Sequence, residues 1–83
     1  MDALRDRVRG MIESKFLAGR NVELADGDSL LEQGVIDSLG MMELVGLLES
    51  QFGVTVSDDE LTPDNLDSID ALVGYLAGKG AGA

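Results

Sequence analysis

The sequence predicts an all-α fold, a small bundle of three main helices plus one short helix, with a long loop between the first and second helices. Three observations carry this. Apolar residues recur with helical spacing in three separate stretches. The one extended tripeptide, Val54-Thr55-Val56, is too short and solitary to make a sheet. The chain has 83 residues and one proline, room for one small core and nothing more. A single domain is expected over 1–78, followed by a flexible C-terminal tail over 79–83 (Lys79-Gly80-Ala81-Gly82-Ala83).

In the first helix, placed at about residues 2–17, Leu4, Val8, Met11, Ile12 and Phe16 form one stripe. Arg9 is spaced to pair with Asp6 and Glu13 on the wet side. From Ala18 to Asp37 the period disappears, and Gly19, Asn21, Asp26-Gly27-Asp28 and Gly34 punctuate a connection longer than small domains normally tolerate without a functional reason. Leu24, Leu30 and Leu31 are expected to tack it onto the core. The second helix runs from Ser38 to Phe52, and plotting it at about 100° per residue puts Met41, Leu44, Val45, Leu48 and Phe52 on one face. Gly53 ends it as a left-handed cap. Asp58-Asp59-Glu60 and Thr62 to Leu66 predict a short helical turn with Pro63 at its first position. Asp67 or Ser68 caps a last helix in which Ile69, Leu72, Val73 and Leu76 repeat with helical spacing.

Composition excludes most chemistry. With no cysteine and no histidine there is no disulfide, thiol nucleophile, imidazole base or zinc site of the usual ligand types. No catalytic residues and no metal site are expected. Sixteen acids against six bases give a net charge of −10, which argues against nucleic acid or an anionic membrane surface as partner. Residues 1–20 carry five bases against three acids, whereas 21–78 carry thirteen acids and no base. Such a field steers basic surfaces and, by self-repulsion, weakens the compact state. The charged N-terminal stretch and the lack of 18 consecutive apolar residues predict no signal peptide, no membrane span and a cytoplasmic location.

Within the second helix, Leu39, Met42 and Leu47 fall off or at the margin of the apolar face and keep company with Glu43, Gly40 and Gly46. Two glycines inside a helix cost about 1 kcal/mol each relative to alanine, so something other than propensity favours them there. An apolar and acidic strip at a helix start, fed by a long loop, has the character of a docking surface. Read from the residues alone, Ser38 is an N-cap or first-turn residue.

Leu30-Leu31-Glu32-Gln33-Gly34-Val35-Ile36-Asp37-Ser38-Leu39, with Glu43-Leu44 behind it, resembles the modification site of the acyl carrier protein family. The likeness extends to the first helix, the long loop, Phe52-Gly53-Val54, the Thr62 to Leu66 turn and Asp67-Ser68-Ile69. The resemblance implies that a phosphopantetheinyl transferase moves 4'-phosphopantetheine from coenzyme A onto Ser38. Asp37 would cap the helix and help present the hydroxyl, while Leu39, Met42, Glu43 and Gly46 would occupy partner-docking positions. A thiol would arrive with the arm, so a chain without cysteine can carry a thioester. Gly40 stands where fatty-acid carriers commonly have an acid, and Gly46 where they commonly have a large apolar residue. Peptidyl carriers typically show Gly-Gly-His-Ser, which differs from Val35-Ile36-Asp37-Ser38. The form is most similar to stand-alone carriers that receive an amino acid or specialised acyl unit from an adenylating ligase and pass it to an acceptor enzyme. The expected state is a monomer.

Three other readings stand beside this one: a fatty-acid or polyketide acyl carrier, an unmodified acidic interaction module, and a hydrolase built on paired carboxylates. The last is disfavoured because the acids are spread over solvent-seeking positions. A calcium loop at Asp26-Gly27-Asp28-Ser29-Leu30-Leu31 fails because leucines stand where a ligand and the turn glycine are needed.

Overall fold

The computed structural model describes residues 2–18 and 23–80. Four α-helices follow in order: α1 (Asp2–Phe16), α2 (Ser38–Phe52), α3 (Pro63–Leu66) and α4 (Ile69–Gly78), with a 3₁₀ turn at Asp58–Glu60 before α3. Among the described residues there is no strand, and Val54 to Val56 is a plain connector whose backbone bonds to side chains and not to a neighbouring strand, the Val56 N–H donating to the Glu49 carboxylate at 3.0 Å and the Thr55 carbonyl accepting from Lys79.

Helix α1 buries Leu4, Val8, Met11 and Ile12 as its period requires, with Phe16 half-buried. It ends one residue earlier than expected, although the Leu17 N–H still donates to the Glu13 carbonyl at 3.2 Å and its side chain is buried. Helix α2 turns Leu44, Val45 and Leu48 inward. Gly53 ends it at φ 68°, its N–H bonded to the Glu49 carbonyl. Thr62 precedes Pro63 at the first turn of α3. Of the two candidate caps for α4, Ser68 takes the role, its hydroxyl accepting the Ala71 N–H at 3.0 Å. Helix α4 packs against both α1 and α3. It contributes Ile69, Leu72, Val73 and Leu76 to a core that holds no charged or polar side chain among the described residues.

Two apolar positions differ from expectation. Leu31 is 41% exposed, so of the three leucines expected to hold the connection only Leu24 and Leu30 are buried. Their place is filled by Val35 and Ile36, immediately upstream of α2. Leu47, off the α2 stripe, is nonetheless half-buried against the core.

The acid-rich region is also less bare than its composition implies. Asp26 accepts hydrogen bonds from Arg9 and, at 2.9 Å, from Arg5, while Arg9 also reaches the Leu24 carbonyl at 2.9 Å. Arg5 pairs in addition with Asp70, whose backbone N–H donates to the Asp26 carbonyl at 2.9 Å. Arg9, and secondarily Arg5, hold the Asp26 carboxyl below its ordinary pKa. The bases of α1 therefore knot the connection to α4. Arg9 also pairs with Glu13, as its spacing predicts.

Part of the expected tail, residues 81–83, lies outside the described residues. Lys79 is tied down: its ammonium sits 2.8 Å from Glu60 and 3.2 Å from the Thr55 carbonyl. The same Glu60 oxygen accepts the Tyr75 hydroxyl and the Ser57 N–H, each at 3.0 Å. Lys79 first, then the Ser57 N–H, push the Glu60 pKa down to about 2 from 4.5. A carboxylate depressed on folding contributes stability that is complete above its unfolded pKa and is lost as pH falls through the folded value. The melting temperature of the wild type should therefore exceed that of Glu60→Gln near neutral pH. The gap should close between about pH 4.5 and 2. A gap that persists unchanged at pH 2 in thermal melts would mean that the charge of Glu60 is not what it contributes.

Candidate functional site

The approach to α2 is built by one carbonyl. In the turn over 30–34 the Leu30 oxygen accepts both the Val35 N–H at 3.0 Å and the Ile36 N–H at 3.3 Å. Gly34, at φ 70°, makes the left-handed step that lets the chain reverse there. With Val35 and Ile36 buried, Asp37 emerges in extended conformation, and its carboxylate accepts the Gly40 N–H at 2.7 Å. Asp37 is thus the N-cap, and Ser38 is the first residue of α2, with an exposed side chain. The choice left open for Ser38 between cap and first turn is decided for the first turn. A Cβ on Gly40 would lie 3.2 Å from the Asp37 carboxylate and 3.3 Å from the Ile36 side chain, so the bare residue is what lets the cap close tightly. Gly46 is different: a Cβ there would meet nothing within 4 Å.

Ser38 stands between two open grooves. One, of about 300 Å³, is apolar and lies between α2 and α3, with Leu31, Met41, Met42, Leu61, Pro63 and Leu66 along it. The other, of about 350 Å³, runs toward the end of α1 past Phe16, Gly34 and Ile36, and has Asp37 and Glu43 on its rim. Around the serine the exposed apolar side chains are Leu39 at 80%, Met42 at 60% and Leu31. Glu43 and Gly46 are exposed, and Gly46 follows at one-turn spacing from Met42 and Glu43 on the same side of α2. The structure therefore gathers Asp37, Ser38, Leu39, Met42 and Glu43 at the start of α2, with Gly46 farther along the same face. It adds Leu31, which the sequence reading assigned to the core. Spacing gave no signal for Leu31, because the connection has no apolar period and the adjacent Val35 and Ile36 in it are both buried.

No side-chain hydrogen bond ties the Ser38 hydroxyl to a carboxylate among the described residues. One oxygen of the adjacent Asp37 carboxylate is engaged in the cap. A phosphodiester on Ser38 fits the position: the side chain is exposed, the first N–H groups of α2 lie outside the intrahelical ladder, and the positive end of the helix favours an anion.

Comparison with known proteins agrees with this geometry. The family described as "phosphopantetheine attachment site" matches residues 6–76. The D-alanyl carrier protein of Streptococcus suis (strain 05ZYH33) is 30% identical over 70 residues, 84% of this chain and 86% of that protein. An all-α bundle with an exposed serine at the start of its second helix, matched over residues 6–76, belongs to the phosphopantetheine-attachment family of carrier proteins, whose cofactor is a covalently attached 4'-phosphopantetheine.

Proposed function

We propose that the chain holds an acyl or aminoacyl unit as a thioester on a phosphopantetheine arm at Ser38 and delivers it to partner enzymes. The observation that carries this reading is the exposed Ser38 hydroxyl at the first position of α2, beside the Asp37 cap and inside a rim of exposed apolar side chains. In this reading Ser38 is the acceptor and Asp37 orders the helix end that presents it. Leu39, Met42, Glu43 and Gly46 meet the partners. The arm supplies the thiol that a chain without cysteine lacks. The partners are a phosphopantetheinyl transferase, an adenylating ligase and an acyl-accepting enzyme, all acting in the cytoplasm.

The cargo in this proposal is a small unit, an amino acid such as the D-alanine named in the relative from Streptococcus suis, in preference to a long fatty chain. The packing supports it. Leu44, Leu48, Leu72 and Leu76 are each 0% exposed, and parting them would be offset only by burying a long alkyl chain at about 0.8 kcal/mol per methylene. An amino acid offers no such return and stays in solvent or along the surface groove. The modified protein, loaded with either an aminoacyl or an octanoyl group, is expected to show aminoacyl-dependent amide shifts confined to the surroundings of Ser38. Large shifts through Leu44, Leu48 and Leu72 in the octanoyl form, with ready use by a fatty-acid synthase, would replace this cargo with a lipid one.

A further inference from the structure

Asp67 sits where α3 ends and α4 has not begun: its N–H closes α3 on the Pro63 carbonyl at 3.0 Å, and the capping of α4 is done by its neighbour Ser68. Its remaining polar groups are committed to a segment more than thirty residues away in the chain. The carboxylate accepts the Ser29 hydroxyl and, through its other oxygen, the Leu31 N–H at 2.9 Å. The Asp67 carbonyl accepts the Leu30 N–H at 2.8 Å. Ser29 passes the connection on, its hydroxyl oxygen accepting the Glu32 N–H at 3.1 Å. Three consecutive residues of the turn are thereby held to one residue of the α3–α4 junction.

That turn is the one whose Leu30 carbonyl holds Val35 and Ile36 and so sets the entry of Asp37 and Ser38 into α2. It also carries Leu31, which lines the apolar groove beside Ser38 together with Leu61, Pro63 and Leu66. Asp67 directly follows Leu66, so its hydrogen bonds tie the turn that carries Leu31 to the segment that supplies Leu61, Pro63 and Leu66 to the same groove.

We propose that Asp67 is a positioning residue for the modification of Ser38, fixing the turn over 29–34 so that Leu31 and the start of α2 are presented to the transferase in one arrangement. The inference rests on Ser38 being the acceptor. Without the clamp, the presenting arrangement is populated for only a fraction of the time. The apparent affinity of the transferase for its carrier then falls by that fraction, while the step after docking is unaltered.

The experiment is steady-state transfer from coenzyme A to the full chain by a broad-specificity transferase, with the carrier varied. Asp67→Ala is expected to raise KM for the carrier about tenfold and to leave kcat within about twofold. Asp67→Asn should fall between that and the wild type, because the amide oxygen can still accept the Leu31 N–H. Amide shifts in the unmodified Asp67→Ala protein should extend to Leu31, Val35, Ile36 and Leu39. Val73→Ala, which hollows the core away from the clamp, controls for lost stability and should leave KM unchanged. If Asp67→Ala does not fold, Ser29→Ala removes one arm of the clamp and should raise KM about threefold by the same population argument. A folded Asp67→Ala with wild-type KM, or a rise in KM matched by Val73→Ala, overturns the proposal while leaving Ser38 as acceptor. A wild-type protein that the transferase never labels overturns the acceptor reading, and the positioning role falls with it.

Discussion

Incubation with a broad-specificity phosphopantetheinyl transferase and coenzyme A is expected to add one phosphopantetheine to the wild-type chain and none to Ser38→Ala. The reason lies in where each serine hydroxyl is engaged. Ser14 and Ser50 donate back to carbonyls of their own helices, Ser29 donates to Asp67, and Ser68 is occupied with the start of α4. Ser57 precedes only a single 3₁₀ turn. Ser38 alone among them is exposed at the first position of a 15-residue helix, next to the groove and the apolar rim. Replacing it by alanine leaves the Asp37 cap and the buried Val35-Ile36 anchor untouched, so loss of labelling reports on chemistry and not on folding. Intact mass spectrometry reads both results. An unchanged wild-type mass, or a labelled Ser38→Ala, would leave the unmodified acidic module as the better description of this chain.

The second large effect is expected at Glu43. It is exposed on the rim of the groove that starts at Asp37, one turn from Leu39, on the face of α2 that presents Met42. A partner meeting this face encounters a carboxylate and apolar side chains on a helix whose sequence holds no base, so its own contact surface should be basic. Glu43→Lys should slow loading by a partner enzyme by about tenfold at low salt, through association, and the defect should shrink as salt screens the repulsion. The control is Glu23→Lys, an exposed acid in the first connection. Asp70 would be a poor control, because its reversal also breaks the ion pair with Arg5. Gly46→Ala adds a methyl group into open space. It should stabilise the fold by about 1 kcal/mol, so slower loading with a higher melting temperature would assign the bare position to the partner. Equal loading by Glu43→Lys and Glu23→Lys at every salt concentration would show that this face of α2 is not where partners bind.

The helices were legible from the sequence because helix formation and burial are coupled through a local period. Leu4, Val8, Met11 and Ile12, or Ile69, Leu72, Val73 and Leu76, declare a face by spacing alone, and the same faces are buried. Caps are local as well, which is why Gly53 and Pro63 could be placed from neighbouring residues. The Asp37-Ser38-Leu39 motif lies at a helix start for the same reason. What the local pattern cannot carry is a contact between residues far apart in the chain.

Tertiary structure decided that Val35 and Ile36 anchor the loop while Leu31 is turned out, since an aperiodic segment has no face until something packs against it. It also decided that Asp67 leaves the cap of α4 to Ser68 and reaches back to Ser29 and Leu31, that Arg5 and Arg9 gather Asp26 and Asp70 out of an apparently unpaired acidic field, and that Lys79 is held by Glu60. Each of these is an electrostatic or hydrogen-bonding choice among many equivalent partners along the chain. The spacing of residues leaves such choices open, and the packing of α1, α3 and α4 around one core closes them by bringing a particular few partners within reach.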